Sequence, residues 1–271
     1  MADLFSDLFT GIDPNASDYV RVKSSKGAQS LQVMRQREGD ISALTGQDIT
    51  AGGTTLYSPQ YVIGGIWRTT LSVINLDSIT GMVTLRFIGG DGVQMGATRA
   101  VGIPANGKLY IDDPGFFLTL DPGVTMTGYV EMVSDGIRIE GSTVFGDINR
   151  QSFCSALALI SDLQTSVLFG HVASNDQYFT GIAILNPNTT DANVNIELYA
   201  ADGTLIETQP ELIPAGQREA RVLTEYFTSL EGKDQTSGYV RLTSDIPIAS
   251  FSLFGTNSLS MLSAIPPQVI Q

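Results

Sequence analysis

The chain has 271 residues and a formal charge of −13, from 15 basic and 28 acidic side chains. This acidity argues against nucleic-acid binding, because that binding depends on basic side chains that neutralise phosphates. Hydrophobic residues make up 42% of the chain, but no run reaches the ~18 apolar residues of a membrane-spanning helix, so we expect a globular protein without membrane insertion. One cysteine, Cys154, and one histidine, His171, exclude an intrachain disulfide and any site that needs two imidazoles.

Short apolar segments separated by polar ones make up the N-terminal region, residues 1–53. Phe5, Leu8 and Phe9 have the spacing of a helical turn. In residues 19–22 (YVRV) the two valines alternate with a tyrosine and an arginine, which predicts a β-strand. Residues 45–54 (TGQDITAGGT) are polar and contain two consecutive glycines, which is typical of a linker or a long loop.

Residues 54–160 carry the pattern of successive β-strands. The segments 71–75 and 83–88 are rich in β-branched side chains, and they alternate in polarity or run continuously apolar. Asp91 and Gly92 follow, and an Asp-Gly pair supplies the positive φ that a tight hairpin needs. The pattern therefore predicts strands that are joined by tight turns.

Residues 161–271 repeat the pattern of residues 54–160. TTLSVIN at 69–75 recurs as TGIAILN at 180–186. Further anchors recur in the same order, namely Asp-Gly at 91 and 202, Ile-Pro-Ala at 103 and 213, Gly-Tyr-Val at 128 and 238, and Ser-Asp at 134 and 244. Ordered matches of this kind indicate a tandem duplication. The N-terminal region holds the second half of a further copy, because DYVRV at 18–22 lies over GYVRL at 238–242.

A short helical turn is predicted to plug one end of each copy. The apolar side chains of residues 223–230 have the helical spacing i, i+3, i+4 and i+7. The equivalent segments are 5–9 and 116–120. Pro114 and Gly115 precede the middle segment and disfavour a helix there.

These elements predict an all-β chain with two tandem β-sandwich domains of about 110 residues each. The domains are placed at 54–160 and 161–271, and residues 1–53 are a partial repeat, the C-terminal half of a unit, with a linker. A half-unit leaves sheet edges open, so we expect it either to pack on residues 54–160 or to complete the edge of another chain in a homo-oligomer. The sequence leaves both this choice and the strand order open.

The anchors listed above, together with YSPQY at 57–61, make the chain similar to tandem immunoglobulin-like β-sandwich repeats of large exported or cell-surface bacterial proteins. The resemblance covers nearly the whole chain. It implies an extracellular or cell-surface structural or adhesive module, of a kind that usually has no catalytic residues. The N-terminus itself carries no secretory signal pattern. The resemblance brings no functional site to particular residues.

Candidate catalytic and metal-binding residues have few partners in the sequence. His171 corresponds to Gln60 in the other copy, so we interpret it as a surface or edge-strand residue. Cys154 has small and apolar neighbours and is interpreted as a buried structural thiol. The acidic pair Asp112 and Asp113, followed by Asp121, could hold a hard cation, but copy two lacks these carboxylates. We therefore predict no enzyme, no cofactor and no metal.

Trp67 and Tyr178 share the position just before the 69–75 and 180–186 segments. Exposed aromatic rings there could contact a glycan or another ligand, whereas core packing is the more usual role. The leading functional hypothesis is a non-enzymatic structural or adhesion segment with a protein or surface glycan as partner. The alternative is a carbohydrate- or ligand-binding module that uses Trp67 and Tyr178, and an enzyme with surface carboxylates ranks third.

Overall fold

Antiparallel β-sheets make up most of the chain in the computed structural model. It describes residues 4–13, 15–36, 40–121, 123–149 and 152–270. The all-β prediction, with sandwich architecture, is confirmed. We call residues 54–160 the first unit, residues 161–271 the second unit and residues 1–53 the N-terminal segment; these boundaries remain sequence-based.

The N-terminal segment contains helix α1 (Phe5–Leu8) and a hairpin of β1 (Leu31–Gln36) and β2 (Asp40–Thr45). The strand predicted at 19–22 is not formed. The described residues before it include no strand with which it could pair, and an isolated strand leaves its backbone groups unpaired. The prediction that α1 plugs a sandwich is also wrong, because all its residues are exposed.

The first unit consists of two four-stranded sheets that face each other. The strands are β3 (Thr55–Ile63), β4 (Trp67–Asn75), β5 (Gly81–Gly89), β6 (Arg99–Ile103), β7 (Lys108–Ile111), β8 (Met126–Ser134), β9 (Ile139–Asp147) and β10 (Cys154–Ala158). One sheet has the order β10-β9-β4-β7 and the other the order β3-β8-β5-β6. Apolar side chains from both sheets form the core between them.

The second unit has the same arrangement of paired strands. The elements are β11 (Gln164–Phe169), β12 (Tyr178–Leu185), β13 (Ala192–Tyr199), β14 (Leu205–Ile213), β15 (Arg218–Val222), helix α2 (Leu223–Tyr226), a 3₁₀ helix (Thr228–Leu230), β16 (Tyr239–Thr256), β17 (Leu262–Ile265) and β18 (Gln268–Val269). One sheet has the order β14-β13-β16-β11-β18, and the other has the order β15-β12-β16-β17.

Strand β16 takes part in both sheets of the second unit, whereas the first unit uses β8 and β9 for the same pairings. The first unit has an additional residue at this point, Gly136, with a φ of 117°. Glycine reaches that backbone region without steric cost, so it permits the turn that separates β8 from β9.

The helical turn predicted at residues 223–230 is present as α2 and the following 3₁₀ helix, and its four apolar side chains are buried. The middle segment, 116–120, forms no helix, in agreement with Pro114 and Gly115. Phe117 is nonetheless buried and packs edge-on against Tyr61, with ring centroids 5.6 Å apart. An aromatic plug thus closes both cores, with or without a helix.

Candidate functional site

Two turns of equivalent sequence lie on the surfaces where successive parts of the chain meet. We call residues 103–108 (IPANGK) and 213–218 (IPAGQR) the docking turns. Each turn contains a residue in the left-handed region, Asn106 with a φ of 52° and Gly216 with a φ of 71°. Asparagine and glycine adopt this conformation at the lowest cost, so both sequences suit the turn.

A buried asparagine holds each docking turn from inside its unit. Asn75 Nδ2 donates to the carbonyl oxygens of Ile103 at 3.2 Å and Pro104 at 3.0 Å, and to a neighbouring loop at 2.7 Å. In the second unit, Asn186 Nδ2 donates to the carbonyl of Ile213 at 2.9 Å. Both asparagines are fully buried, so the position of each turn is fixed relative to its core.

The left-handed residue of each turn accepts a hydrogen bond from a tyrosine of the preceding part of the chain. The Tyr129 hydroxyl of the first unit donates to the Gly216 carbonyl of the second unit, with a distance of 2.8 Å between the oxygens. The Tyr19 hydroxyl of the N-terminal segment donates to the Asn106 carbonyl of the first unit at 2.9 Å. Tyr19 and Tyr129 lie at matching positions of the similar sequences 18–22 and 128–130, so the same kind of contact occurs twice.

Each docking turn ends in a basic residue that reaches back to the same preceding part. Lys108 Nζ donates to the carbonyls of Ala16 at 2.8 Å and Asp18 at 3.0 Å, and burial lowers the pKa of its ammonium group. Arg218 donates its backbone N–H to the Gly90 carbonyl at 2.9 Å and its guanidinium to the Gln60 side chain. Burial lowers the pKa of Arg218 to about 10, so it remains charged at neutral pH.

Apolar contacts between the two units surround the second docking turn. Ile88 and Tyr129 of the first unit pack against Leu185 and Ala249 of the second, and all four are buried. A larger apolar cluster also joins the units; it contains Val62, Phe145, Phe153, Leu157, Ala183, Phe251 and Leu262. These contacts fix one unit against the other through the packing of buried side chains.

Strand β10 of the first unit contacts its counterparts on both sides, β2 and β17. Ser42 Oγ on β2 donates to the Cys154 carbonyl at 3.1 Å, and the Ala264 N–H on β17 donates to Ser155 Oγ at 2.5 Å. Cys154 is fully buried, as predicted from its neighbours. Within this chain, β2 of the N-terminal segment therefore packs on the first unit, and completion of another chain's edge stays a prediction.

Glu140 is a buried carboxyl that the N-terminal segment covers. It is 8% exposed, and Gln47 Nε2 donates to its Oε2 at 3.2 Å and to the Gly141 carbonyl at 2.7 Å. Burial raises the pKa of the Glu140 carboxyl, and backbone hydrogen bonds from Gly141 and Gly52 oppose that rise. The second unit has Ala249 at this position, facing the first unit.

The two residues proposed as ligand contacts lie in different surroundings. Trp67 packs edge-on against Phe153, with ring centroids 4.9 Å apart, and borders the apolar cluster between the units. Tyr178 stacks on Phe254 at 5.4 Å and lines an open groove of about 440 Å³. Within the described ranges, no ring contact joins Trp67 to Tyr178.

The groove beside Tyr178 combines aromatic rings with polar side chains. Its walls include Tyr178, Phe179, Leu259, Asn175, Asn257 and Thr224. Asn175 Oδ1 accepts the backbone N–H of Tyr178 at 2.9 Å, and Asn257 Nδ2 donates to the Asn175 carbonyl at 3.0 Å. These bonds hold the loops that frame the groove.

The remaining candidate residues are placed separately. His171 is exposed and contacts Phe254 edge-on. Asp112 forms an ion pair with Arg68, and Asp113 accepts the Gly115 N–H. The described residues contain no group of three or more His, Cys, Asp or Glu side chains arranged to hold a metal ion. No helix in the same ranges has the length and apolarity to cross a membrane.

Sequence reasoning did not identify the docking turns as contact sites. The signal was present, because Ile-Pro-Ala and Gly-Tyr-Val are among the anchors that recur in order. Both were interpreted as turn and core residues. The hydrogen bond from Tyr129 to Gly216 joins residues far apart in sequence, and local periodicity carries no information about such a pairing.

Comparisons with known proteins add little to this geometry. The chain matches no family model and no curated protein. Among solved structures it has a weak similarity to a β-glucuronidase from Bacteroides uniformis, with 11% identity and a TM-score of 0.16. A second structure of a B. uniformis enzyme, β-glucuronidase 2 covalently bound to an aziridine, gives the same identity and TM-score. The match covers 76% of this chain and spans a quarter of either enzyme chain.

Proposed function

We propose that this chain is a non-enzymatic structural or adhesion segment of an exported or cell-surface bacterial protein, built from tandem immunoglobulin-like β-sandwich repeats. The observation that carries the proposal is the docking contact that occurs twice, from Tyr19 to Asn106 and from Tyr129 to Gly216. A contact that is reused between successive parts of a chain is typical of repeat proteins, in which each repeat packs on its neighbours. The extracellular location rests on the sequence resemblance.

The proposed role requires the two units to keep one relative placement. Buried apolar clusters, the Tyr129 hydrogen bond and the backbone bond from Arg218 to Gly90 support this. Such contacts depend little on salt, in contrast to surface ion pairs. The units should therefore act as one rigid segment that transmits position or force.

Small-angle X-ray scattering and an activity screen test the proposal together. A single rigid conformation should fit the scattering profile at low and at high salt, and polysaccharide and ester substrates should show no turnover. A profile that requires a mixture of unit placements would refute the structural role. Turnover that co-purifies with the protein would replace it with an enzymatic one.

Carbohydrate binding is the second candidate, and the groove beside Tyr178 favours it. Aromatic rings stack on sugar faces, while neighbouring amide and hydroxyl groups supply hydrogen bonds to sugar hydroxyls. On a glycan array, binding should disappear in Tyr178→Ala. Tyr110→Ala, at an exposed tyrosine outside the groove, serves as the control. Trp67→Ala should instead lower stability, because Trp67 packs against Phe153.

A further inference from the structure

Tyr239 occupies in the second unit the position that Tyr129 occupies in the first. In the first unit, Tyr129 on β8 lies opposite Ile88 on β5. In the second unit, Tyr239 on β16 lies opposite Tyr199 on β13. Tyr239 is therefore the third tyrosine of the series that starts with Tyr19.

The neighbouring cross-strand pair confirms that the two sheet faces correspond. Arg86 lies opposite Glu131 in the first unit, and the two form an ion pair. Glu197 lies opposite Arg241 in the second unit, with a distance of 3.9 Å between Arg241 Nε and Glu197 Oε2. The same surface position thus holds an ion pair in both units, with the two charges exchanged.

The two faces differ in what covers them. Ile88 and Tyr129 point away from their own core, yet they are 6% and 4% exposed because the second unit packs on them. Tyr199 and Tyr239 are only partly covered, and their rings stack with centroids 4.7 Å apart. Leu205, which lies opposite Tyr199 on β14, is 47% exposed. The second unit therefore presents an apolar face where the first unit holds a neighbour.

The hydroxyl of Tyr239 is also unused. Tyr19 and Tyr129 both donate to the left-handed residue of a docking turn. Across the described ranges, the Tyr239 hydroxyl forms no hydrogen bond. The hairpin tip beside this face is open as well: a Cβ on Gly92 would lie 3.1 Å from the Gly216 carbonyl, whereas a Cβ on Gly203 would meet nothing within 4 Å.

We propose that the face around Tyr199 and Tyr239 binds the first unit of a second copy of this chain, with the Tyr239 hydroxyl donating to the Asn106 carbonyl of that copy. The hydrogen bond of this contact repeats the one from Tyr129 to Gly216 within the chain. The proposal rests on the proposed function, since it extends the same series of packed units from one molecule to the next.

The Asn106 turn is the better acceptor of the two docking turns. The Gly216 carbonyl lies between the two units of its own chain. Among the described residues, the Asn106 carbonyl accepts a hydrogen bond only from Tyr19, which is 38% exposed and belongs to an exposed stretch, residues 15–30, without strands. Tyr239 of one copy would replace Tyr19 of the other. The Lys108 ammonium would then donate to backbone carbonyls that precede Tyr239, in place of those of Ala16 and Asp18.

This contact joins two different surfaces, so it can add copies in series and does not stop at a dimer unless a ring closes. Tyr19 competes from within the same chain and has the advantage of a high effective concentration. Association between wild-type chains is therefore expected to be weak, and loss of the Tyr19 hydroxyl should strengthen it.

Sedimentation velocity across a concentration series tests this with three single-hydroxyl variants. The average mass of the wild type should rise with concentration. Tyr239→Phe should weaken association about fivefold, as expected for the loss of one hydrogen bond, and Tyr19→Phe should strengthen it by a similar factor. Tyr178→Phe, which removes a hydroxyl from another face of the second unit, should behave as the wild type.

A wild type and a Tyr19→Phe variant that both stay monomeric at the highest soluble concentration would overturn the proposal. Association that responds equally to Tyr239→Phe and to Tyr178→Phe would also overturn it. Melting temperatures of all variants show whether they are folded, and the conservative changes should leave them close to the wild type. If scattering shows fixed units in a strict monomer, this inference fails while the proposed function stands.

Discussion

Asn75 shows how one side chain couples the core of a unit to its surface. It is fully buried and donates to three carbonyls, including Ile103 and Pro104 of the docking turn, while its Oδ1 accepts the Asp77 N–H at 2.9 Å. Buried backbone carbonyls are costly to leave unpaired. The amide therefore holds the turn in the shape that presents the Asn106 carbonyl to Tyr19.

Asn75→Ala should lower the free energy of unfolding by about 2–4 kcal/mol, because the buried Ile103 carbonyl and two partly buried carbonyls lose their donor. Asn195→Ala, at an exposed asparagine on β13, should change it by less than about 1 kcal/mol. Urea denaturation followed by circular dichroism measures both. Equal losses in the two variants would show that burial of the Asn75 amide contributes nothing specific.

The Glu140 carboxyl makes the stability of the folded protein depend on pH. Its pKa is raised in the folded protein, so the folded state holds the proton more tightly than the unfolded state does. This contribution is present below the ordinary pKa of about 4.3 and is lost as pH rises through the folded-state pKa. Glutamine does not titrate, so Glu140→Gln lacks this pH-dependent contribution. The melting temperature of the variant minus that of the wild type should therefore increase from pH 4 to pH 7.

The comparison with Glu140→Gln has to be made at each pH. Other carboxyls act in the opposite direction, since hydrogen bonds lower the pKa values of Asp77 and Asp245 and so favour the folded state as pH rises. The difference between variant and wild type removes these shared contributions. A difference that stays constant from pH 4 to pH 7 would contradict the assignment of a raised pKa to Glu140.

A segment with a strand-like sequence forms a strand only where a neighbouring strand is available to pair with it. The patterns of residues 83–88 and 239–242 predict strands, and β5 and β16 include them, because adjacent strands pair with both. Residues 18–22 have nearly the same sequence as 238–242 but form no strand, since the described residues before them include no strand with which they could pair. Side-chain alternation therefore indicates which face of a segment would be buried. It does not indicate whether a neighbouring strand is present to pair with that segment.

The two Asp-Gly hairpin tips form a matched pair for a prediction about the unit interface. Gly92 and Gly203 both have a positive φ, 80° and 86°, so alanine costs about 1–2 kcal/mol of backbone strain at either position. At Gly92 the added Cβ also lies 3.1 Å from the Gly216 carbonyl. Gly92→Ala should therefore destabilise the chain by about 1 kcal/mol more than Gly203→Ala, as an overpacked contact does.

Chemical denaturation of the two alanine variants under identical conditions gives this difference directly. Gly203→Ala is the control for backbone strain, because the added Cβ would enter open space. Equal destabilisation would mean that the hairpin tip at Gly92 moves away from the second unit without cost. The close contact of the tip with the second docking turn would then be loose in solution.

The sequence predicts the two units but does not indicate which of their surfaces form the interface between them. Trp67 was interpreted as a ligand contact or a core residue, and the structure places it at the border of the apolar cluster that joins the units. The apolar side chains of a strand point to both faces, and the sequence does not state whether the outer face meets water or another unit. The buried Ile88 on an outer sheet face is a case of this kind.

This interface predicts that the chain unfolds in one cooperative transition. Two independent domains would melt separately, whereas shared buried clusters make the loss of one unit expose the apolar surface of the other. In differential scanning calorimetry, the calorimetric and van't Hoff enthalpies of the wild type should therefore agree. A wild type with two resolved transitions would contradict the coupling.

Leu185→Ala and Leu198→Ala separate coupling from stability. Both leucines are fully buried in the second unit, and each change should cost about 2–5 kcal/mol. Leu198 lies in the core of its own unit, but Leu185 packs against Ile88 and Tyr129 of the first. Leu198→Ala should lower the melting temperature with one transition retained, and Leu185→Ala should broaden or split the transition. Identical transition shapes would show that Leu185 contributes only to its own unit, and that the larger cluster around Phe153 and the hydrogen bonds of the second docking turn couple the units without it.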